Sequence, residues 1–119
     1  MRRRCKVQEK VKSQRKDRNY TSFSLGKNNG RINGKCQKTS YKNGDNDFYW
    51  LNLNNKKHFY IIPENELLTR NYINTDKQVK IILNPDAKNG KNSWANEYLF
   101  DYTNLTEIDI QRLKTMFHL

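Results

Sequence analysis

"FYWLNLNNKKHFYIIP" spans residues 48–63. Two runs of aromatic and branched residues, 48–53 and 58–62, flank the short polar stretch Asn54–Lys57. Such side chains suit a pleated, half-buried surface, and a short polar loop lets the chain return. The stretch therefore predicts an antiparallel hairpin. Alternation puts Phe48 and Trp50 on one face and Tyr49 and Leu51 on the other, so at least one pair must enter the core. Pro63 ends the second strand and can open a helix. Glu64 and Glu66 follow it, where the positive end of a helix favours acids. Leu67, Leu68 and Tyr72 would then face the sheet.

Downstream, "QVKIIL" (78–83) reads as a strand closed by Asn84-Pro85, and "PDAKNGKN" (85–92) as a loop. In "SWANEYLFDY" (93–102), Trp94 and Tyr98 at i, i+4 favour one face of a helix capped by Ser93. Thr106 is a good N-cap, with Glu107 and Asp109 in the first turn. Ile110, Leu113, Met116 and Phe117 continue at helical spacing. Upstream, residues 5–13 alternate as a strand, "SQRKDRN" (13–19) is a polar turn and "YTSFSL" (20–25) is a second strand. The two strands predict a second hairpin. "GKNNGRINGK" (26–35), rich in Gly and Asn, reads as an exposed basic loop. These elements predict one α+β domain over residues 1–119. Its sheet is mixed or antiparallel, with about five strands and two or three helices.

Charge divides the chain unevenly. The formal net charge is +11. Fourteen of the 23 Lys and Arg residues lie in 1–42, against only Glu9 and Asp17, whereas residues 43–119 nearly balance. A basic stripe of this kind is the footprint of a nucleic-acid binder, because each cation set on a phosphate releases condensed counterions. The residues expected to contact nucleic acid are Arg2, Arg3, Arg4, Lys12, Arg15, Lys16, Arg18, Lys27, Arg31 and Lys35. DNA is the expected partner, and RNA is the alternative. The excess of Asn and Lys also fits an A/T-rich genome, as in a virus or mobile element. That bias does not explain the concentration in one third, nor the arginines. No hydrophobic run reaches the ~18 residues of a membrane span, and no signal peptide is evident. Two cysteines are too few for a disulfide framework, which fits a reducing, intracellular setting.

One short motif points to chemistry. In "KVQEKVKS" (6–13), Gln8 and Lys10 are two apart on a strand and share a face. An oxygen at the first position can ligate Mg²⁺, and a lysine at the second can stabilise charge developing on a phosphoryl group. Gln8 and Lys10 are the candidate catalytic residues, and Gln8 is the candidate metal ligand. An exposed polar strand face is the simpler reading of the same residues. Asp45 and Asp47 read most simply as turn residues bonded to nearby backbone.

From "VQEKV" through "YKNGDNDFYWLNLNNKKHFYIIP", the chain resembles the second half of PD-(D/E)xK nucleases, in particular Mrr-like and homing-endonuclease-like members. Branches of that family carry Gln-x-Lys, then a Tyr, a short polar loop, an Asp opening a hydrophobic strand, and a partner strand ending in a helix-opening proline. The matching residues are Gln8, Lys10, Tyr41, Asp47 and Pro63, and the resemblance covers about residues 5–72. It implies a restriction-endonuclease-like core, DNA as substrate and Mg²⁺ as cofactor. The family's first metal-binding Asp lies on the strand before the Gln-x-Lys strand. Here only seven residues precede Gln8 and none is acidic. The expectation is a DNA-binding, endonuclease-like domain with an incomplete site: a remnant, or one part of a site completed by a second chain. Two other readings stand beside it. In one, Asp45 or Asp47 reaches Lys10 and makes a competent nuclease. In the other, the chain is a small basic accessory protein that binds RNA or an acidic protein, with no enzymatic role.

Overall fold

The structure, a computed structural model, describes residues 5–13, 17–18, 20–53 and 57–117. In chain order its strands are β1 (Val7–Val11), β2 (Thr21–Ile32), β3 (Lys35–Ser40), β4 (Phe48–Asn52), β5 (His58–Pro63), β6 (Val79–Leu83) and β7 (Leu99–Asp101). Helix α1 (Glu64–Thr69) follows β5, a 3₁₀ helix (Ser93–Tyr98) precedes β7, and α2 (Glu107–Phe117) ends the described chain. The α+β class is as expected. The strands form two sheets, one mixed in the order β1-β4-β5-β7 and one antiparallel in the order β3-β2-β6.

The hairpin of residues 48–62 forms as its side chains require. β4 and β5 pair antiparallel, Tyr49 against Ile62 and Leu51 against Tyr60. Those four side chains are fully buried and meet Phe23, Leu25, Ile81 and Leu83 of the second sheet. The two sheets therefore face each other across one core. The opposite face of β5 carries Phe59 and Ile61, which pack with Phe100 under Leu113, Met116 and Phe117 of α2. Covered on both faces, β5 reads as an unbroken apolar run, as central strands do. Asn54–Lys56 of the connecting turn lie outside the described residues.

The two helix ends show why sequence placed them well. Pro63 has extended backbone, φ −62° and ψ 144°, and caps α1 at Glu64. Leu67 and Tyr72 are buried, and Leu68 packs against the core. At α2, the Thr106 Oγ1 accepts the Asp109 N–H and Asp109 Oδ2 accepts the Thr106 N–H, both at 3.1 Å. This reciprocal box satisfies two otherwise orphaned donors.

Three expectations are corrected. β1 does not form a hairpin with β2. It runs parallel beside β4, Gln8 opposite Tyr49 and Lys10 opposite Leu51, while β2 pairs with β3 and β6 in the other sheet. The reason lies in burial: Phe23 and Leu25 find apolar partners in Ile81 and Leu83, which polar β1 cannot offer. The basic stretch 26–35 is not a loop. β2 runs through it to Ile32 and turns at Asn33-Gly34, with φ 53° and 78°, so that Ile32 faces Lys35. Two successive positive φ values make the mirror-image turn whose twist matches a hairpin. Nor does helix extend over 93–102: one 3₁₀ segment gives way to β7, where Phe100 pairs with Phe59. The strand count is accordingly seven among the described residues, more than about five.

The Asn33-Gly34 turn has a testable cost. Gly34→Val places a β-branched side chain at φ 78° in open space, so strain alone acts. We expect a loss of about 1–2 kcal/mol in urea unfolding, the usual penalty of left-handed backbone for an L-residue. Gly34→Asn should lose much less, since Asn tolerates that region.

Candidate nucleic-acid interface

β1 lies at the edge of the mixed sheet, and the alternation of its side chains decides what it displays. Val7, Glu9 and Val11 are exposed on one face, and Gln8 and Lys10 are half-buried on the other. Gln8 and Lys10 thus share a face, as their spacing predicts, and they line one polar cleft of ≈ 460 Å³. The opposite wall is built from Gly26 and Lys27 of β2, Lys38 of β3, and Tyr41, Asp45 and Asn46 of the segment before β4. The site spans both sheets, and the register of the β2–β3 ladder (Gly26 opposite Ser40, Asn28 opposite Lys38) sets where Lys38 stands.

Lys10 is held in the cleft by two contacts. Its ammonium donates to the Gly26 carbonyl at 2.9 Å and sits 5.2 Å from the centre of the Tyr41 ring. Burial, and then the neighbouring Lys38, lower its pKa from the ordinary lysine value. Burial also raises the Tyr41 phenol, with Asp45 adding to the effect. Gly26 is required by contact: a Cβ there would lie 2.5 Å from Cβ of Gln78 and 3.0 Å from the Thr39 carbonyl. Gly26→Ala should therefore shift the carbonyl that holds Lys10. The expected result is a loss of about 1–3 kcal/mol in stability, as for overpacked sites. A changed Lys10 side-chain signal in NMR spectra should accompany it.

Asp45 stands in the same cleft, but its charge is engaged. Oδ2 lies 2.7 Å from Lys27 Nζ and accepts the Lys42 N–H at 2.8 Å. The hydrogen bond from Lys27, then that from the Lys42 amide, hold its carboxyl below the usual range. Asp45 is thus the turn residue that its context predicts, and also a wall of the cleft. Asp47 points elsewhere, accepting the Lys6 N–H at 2.8 Å and so pinning the entry to β1. The loop between them is clamped by Glu64, which is buried at the start of α1. Its carboxylate accepts the amides of Gly44 at 2.6 Å and Asn46 at 3.0 Å, and faces the Tyr49 hydroxyl at 3.4 Å.

Magnesium does not fit these residues. A hard divalent ion wants several oxygens, carboxylates among them. Gln8 offers one neutral oxygen, and Asp45 is committed to Lys27 and to backbone. Lys10, Lys27 and Lys38 put three ammonium groups around the same space. Among the described residues, no group of three or more His, Cys, Asp or Glu is placed to hold a metal ion.

The other expected contacts fall in two places. Arg31 and Lys35 are exposed near the tip of the β2–β3 hairpin, on the same arm as Lys27. Lys12 and Arg18 line a separate pocket beyond the end of β1, with Arg18 5.3 Å from the Tyr20 ring centre. Arg2, Arg3, Arg4, Arg15 and Lys16 lie outside the described residues. Sequence reading missed Lys38, Gly26 and Asn46. The Asn33-Gly34 dipeptide was the available signal, since a two-residue turn there folds 35–40 back on 26–32 and brings Lys38 to the cleft. Among the described residues, no helix is long and apolar enough to cross a membrane.

Comparison of the chain with protein-family models, with curated proteins and with solved structures finds no match.

Proposed function

We propose that this chain binds DNA through the β1 cleft and the β2–β3 hairpin, as an endonuclease-like domain whose cleft lacks the carboxylates for metal chemistry. The observation that supports it best is the convergence of Lys10, Lys27 and Lys38 on one polar cleft containing a single, already paired carboxylate. Residues 26–42 carry five cations, Lys27, Arg31, Lys35, Lys38 and Lys42, and no acid. All five are exposed. A surface of that kind attracts a polyanion, and a lysine held by backbone and ring is preset to meet a phosphate. Gln8 beside Lys10 adds a neutral amide able to hydrogen-bond a phosphate oxygen or a sugar. The same pair on one face is what the nuclease resemblance implies for its second and third motif positions. DNA contact and the absence of self-sufficient catalysis then follow together.

The test has a binding arm and a cleavage arm. Fluorescence anisotropy with a short duplex should show saturable binding that weakens steeply with salt, and Lys10→Met should weaken it by about tenfold, one lost charged contact. Single-stranded RNA and polyglutamate serve as competitors. If either displaces the duplex at lower concentration than duplex DNA itself does, the accessory-protein reading is the better one. In the second arm, purified chain with supercoiled plasmid and Mg²⁺ or Mn²⁺ should leave the plasmid intact. Nicking that depends on both the metal and Lys10 would show that Asp45 or another carboxylate completes the site.

A further inference from the structure

The cations of the β1 cleft differ in what already engages them. Lys27 Nζ lies 2.7 Å from Asp45 Oδ2, and Asp45 is the one acid in the cleft's walls. Lys10 and Lys38 have no acid of their own among those walls. Register brings these two together. Lys38 stands opposite Asn28, two residues from Gly26, so it shares the ladder face of Gly26 and Ser40. Ser40 is fully buried, so that face turns inward. Lys10 comes from the other sheet, and its ammonium donates to the carbonyl of buried Gly26 at 2.9 Å. After burial, Lys38 lowers the Lys10 pKa, so the two charges repel across the cleft. Lys10 is half-buried and Lys38 is exposed, which puts one ammonium deep in the cleft and the other at its rim.

We propose that the cleft holds a terminal phosphate monoester at the end of a DNA strand, in preference to an internal phosphodiester; the assignment rests on the DNA binding proposed above. Charge favours the monoester. An internal diester carries one negative charge. A monoester carries about 1.5 to 2 at neutral pH and presents three acceptor oxygens. Two ammonium groups that repel each other and lack an acid match the larger charge. Depth favours it too. Sugars on both sides hold an internal phosphate at the surface of its strand. A terminal phosphate hangs from a single ester bond and can reach in as far as Lys10. One N–H of the Gln8 amide donates to the Glu9 carbonyl at 3.2 Å, and the second can meet a further oxygen. Exposed Arg31 and Lys35 then follow the adjoining backbone along the arm.

The experiment is fluorescence anisotropy of the whole chain with matched short duplexes at constant ionic strength. One has hydroxyl at every end, one has phosphate on both 5′ ends and one has phosphate on both 3′ ends. A hydroxyl-ended duplex lengthened by two base pairs controls for added charge. One of the phosphorylated duplexes should bind at least about tenfold tighter than the hydroxyl duplex, as for one more hydrogen bond between ions. The lengthened duplex should gain little. Lys10→Met should abolish the preference. Lys38→Gln, an exposed substitution that spares the core, should do the same. Arg31→Gln should weaken every duplex alike and keep the preference. Equal binding of hydroxyl and phosphorylated duplexes would overturn the inference and leave DNA binding standing. A preference that survives both lysine variants would remove it from the cleft. Inorganic phosphate that competes at the concentration of the phosphorylated duplex would overturn the assignment to a strand end and make free phosphate the ligand. Saturable binding of none of the duplexes would overturn both this inference and the DNA-binding function.

Discussion

Replacing Arg31, Lys35 and Lys38 together by alanine should flatten the salt dependence of DNA binding by about 2.7 units on a log–log plot, at about 0.9 per phosphate contact released. All three are exposed on the β2–β3 arm, and Lys38 also lines the cleft. None lies in the core, so the variant should fold and unfold in urea like the wild type. Lys27 is left in place because its bond to Asp45 makes its removal ambiguous: the substitution would free a carboxylate inside the cleft. Affinity at low salt should fall by at least about a hundredfold if each contact contributes about 1 kcal/mol or more. An unchanged slope would mean that this arm faces away from the nucleic acid. Replacing Lys77, Lys88 and Lys91, which lie outside the cleft and the arm, is the matched control and should leave the slope nearly unaltered.

The second large effect concerns Glu64. Its buried carboxylate takes two loop amides and faces the Tyr49 phenol, whose own ionisation burial pushes far out of reach. Glu64→Ala removes the acceptor of both part-buried loop amides and leaves the buried Tyr49 hydroxyl without the carboxylate it faces. We expect a loss of about 1–3 kcal/mol in unfolding free energy, from the lost bonds to a charged acceptor and the penalty at the buried hydroxyl. Glu64→Gln keeps one acceptor oxygen and should lose less. The loop that Glu64 clamps carries Asp45 and Asn46, so Glu64→Ala should also broaden the amide signals of the cleft wall. A variant as stable as the wild type would mean that water serves these amides equally well.

What sequence made legible was whatever depended on contiguous residues. The 48–63 hairpin, the cap at Pro63, the Thr106–Asp109 box and the shared face of Gln8 and Lys10 each follow from spacing within one segment. What it hid was long-range pairing. β1 belongs with β4, some forty residues on, because the apolar rows of β2 select β6 and leave β1 to the other sheet. Nothing local marks that choice. The wall of the cleft was hidden for a related reason. A Gly- and Asn-rich run looks like loop when composition is weighed alone, and only the two-residue turn at Asn33-Gly34 betrays a hairpin. Reading 26–35 as a loop kept its basic character but lost the register that brings Lys38 near Lys10.

The claim that the cleft of β1, β2 and β3 is where DNA binds can be put to a single measurement: the amide shift map of the whole chain on titration with a short duplex at moderate salt. The largest shifts should fall on Gln8, Lys10, Gly26, Lys27, Lys38 and Asn46, with Arg31 and Lys35 following. The exposed face of α2, with Ile108 and Gln111, should stay silent. Shifts centred on α2, or an absence of saturable shifts on β1 and the hairpin, would contradict it.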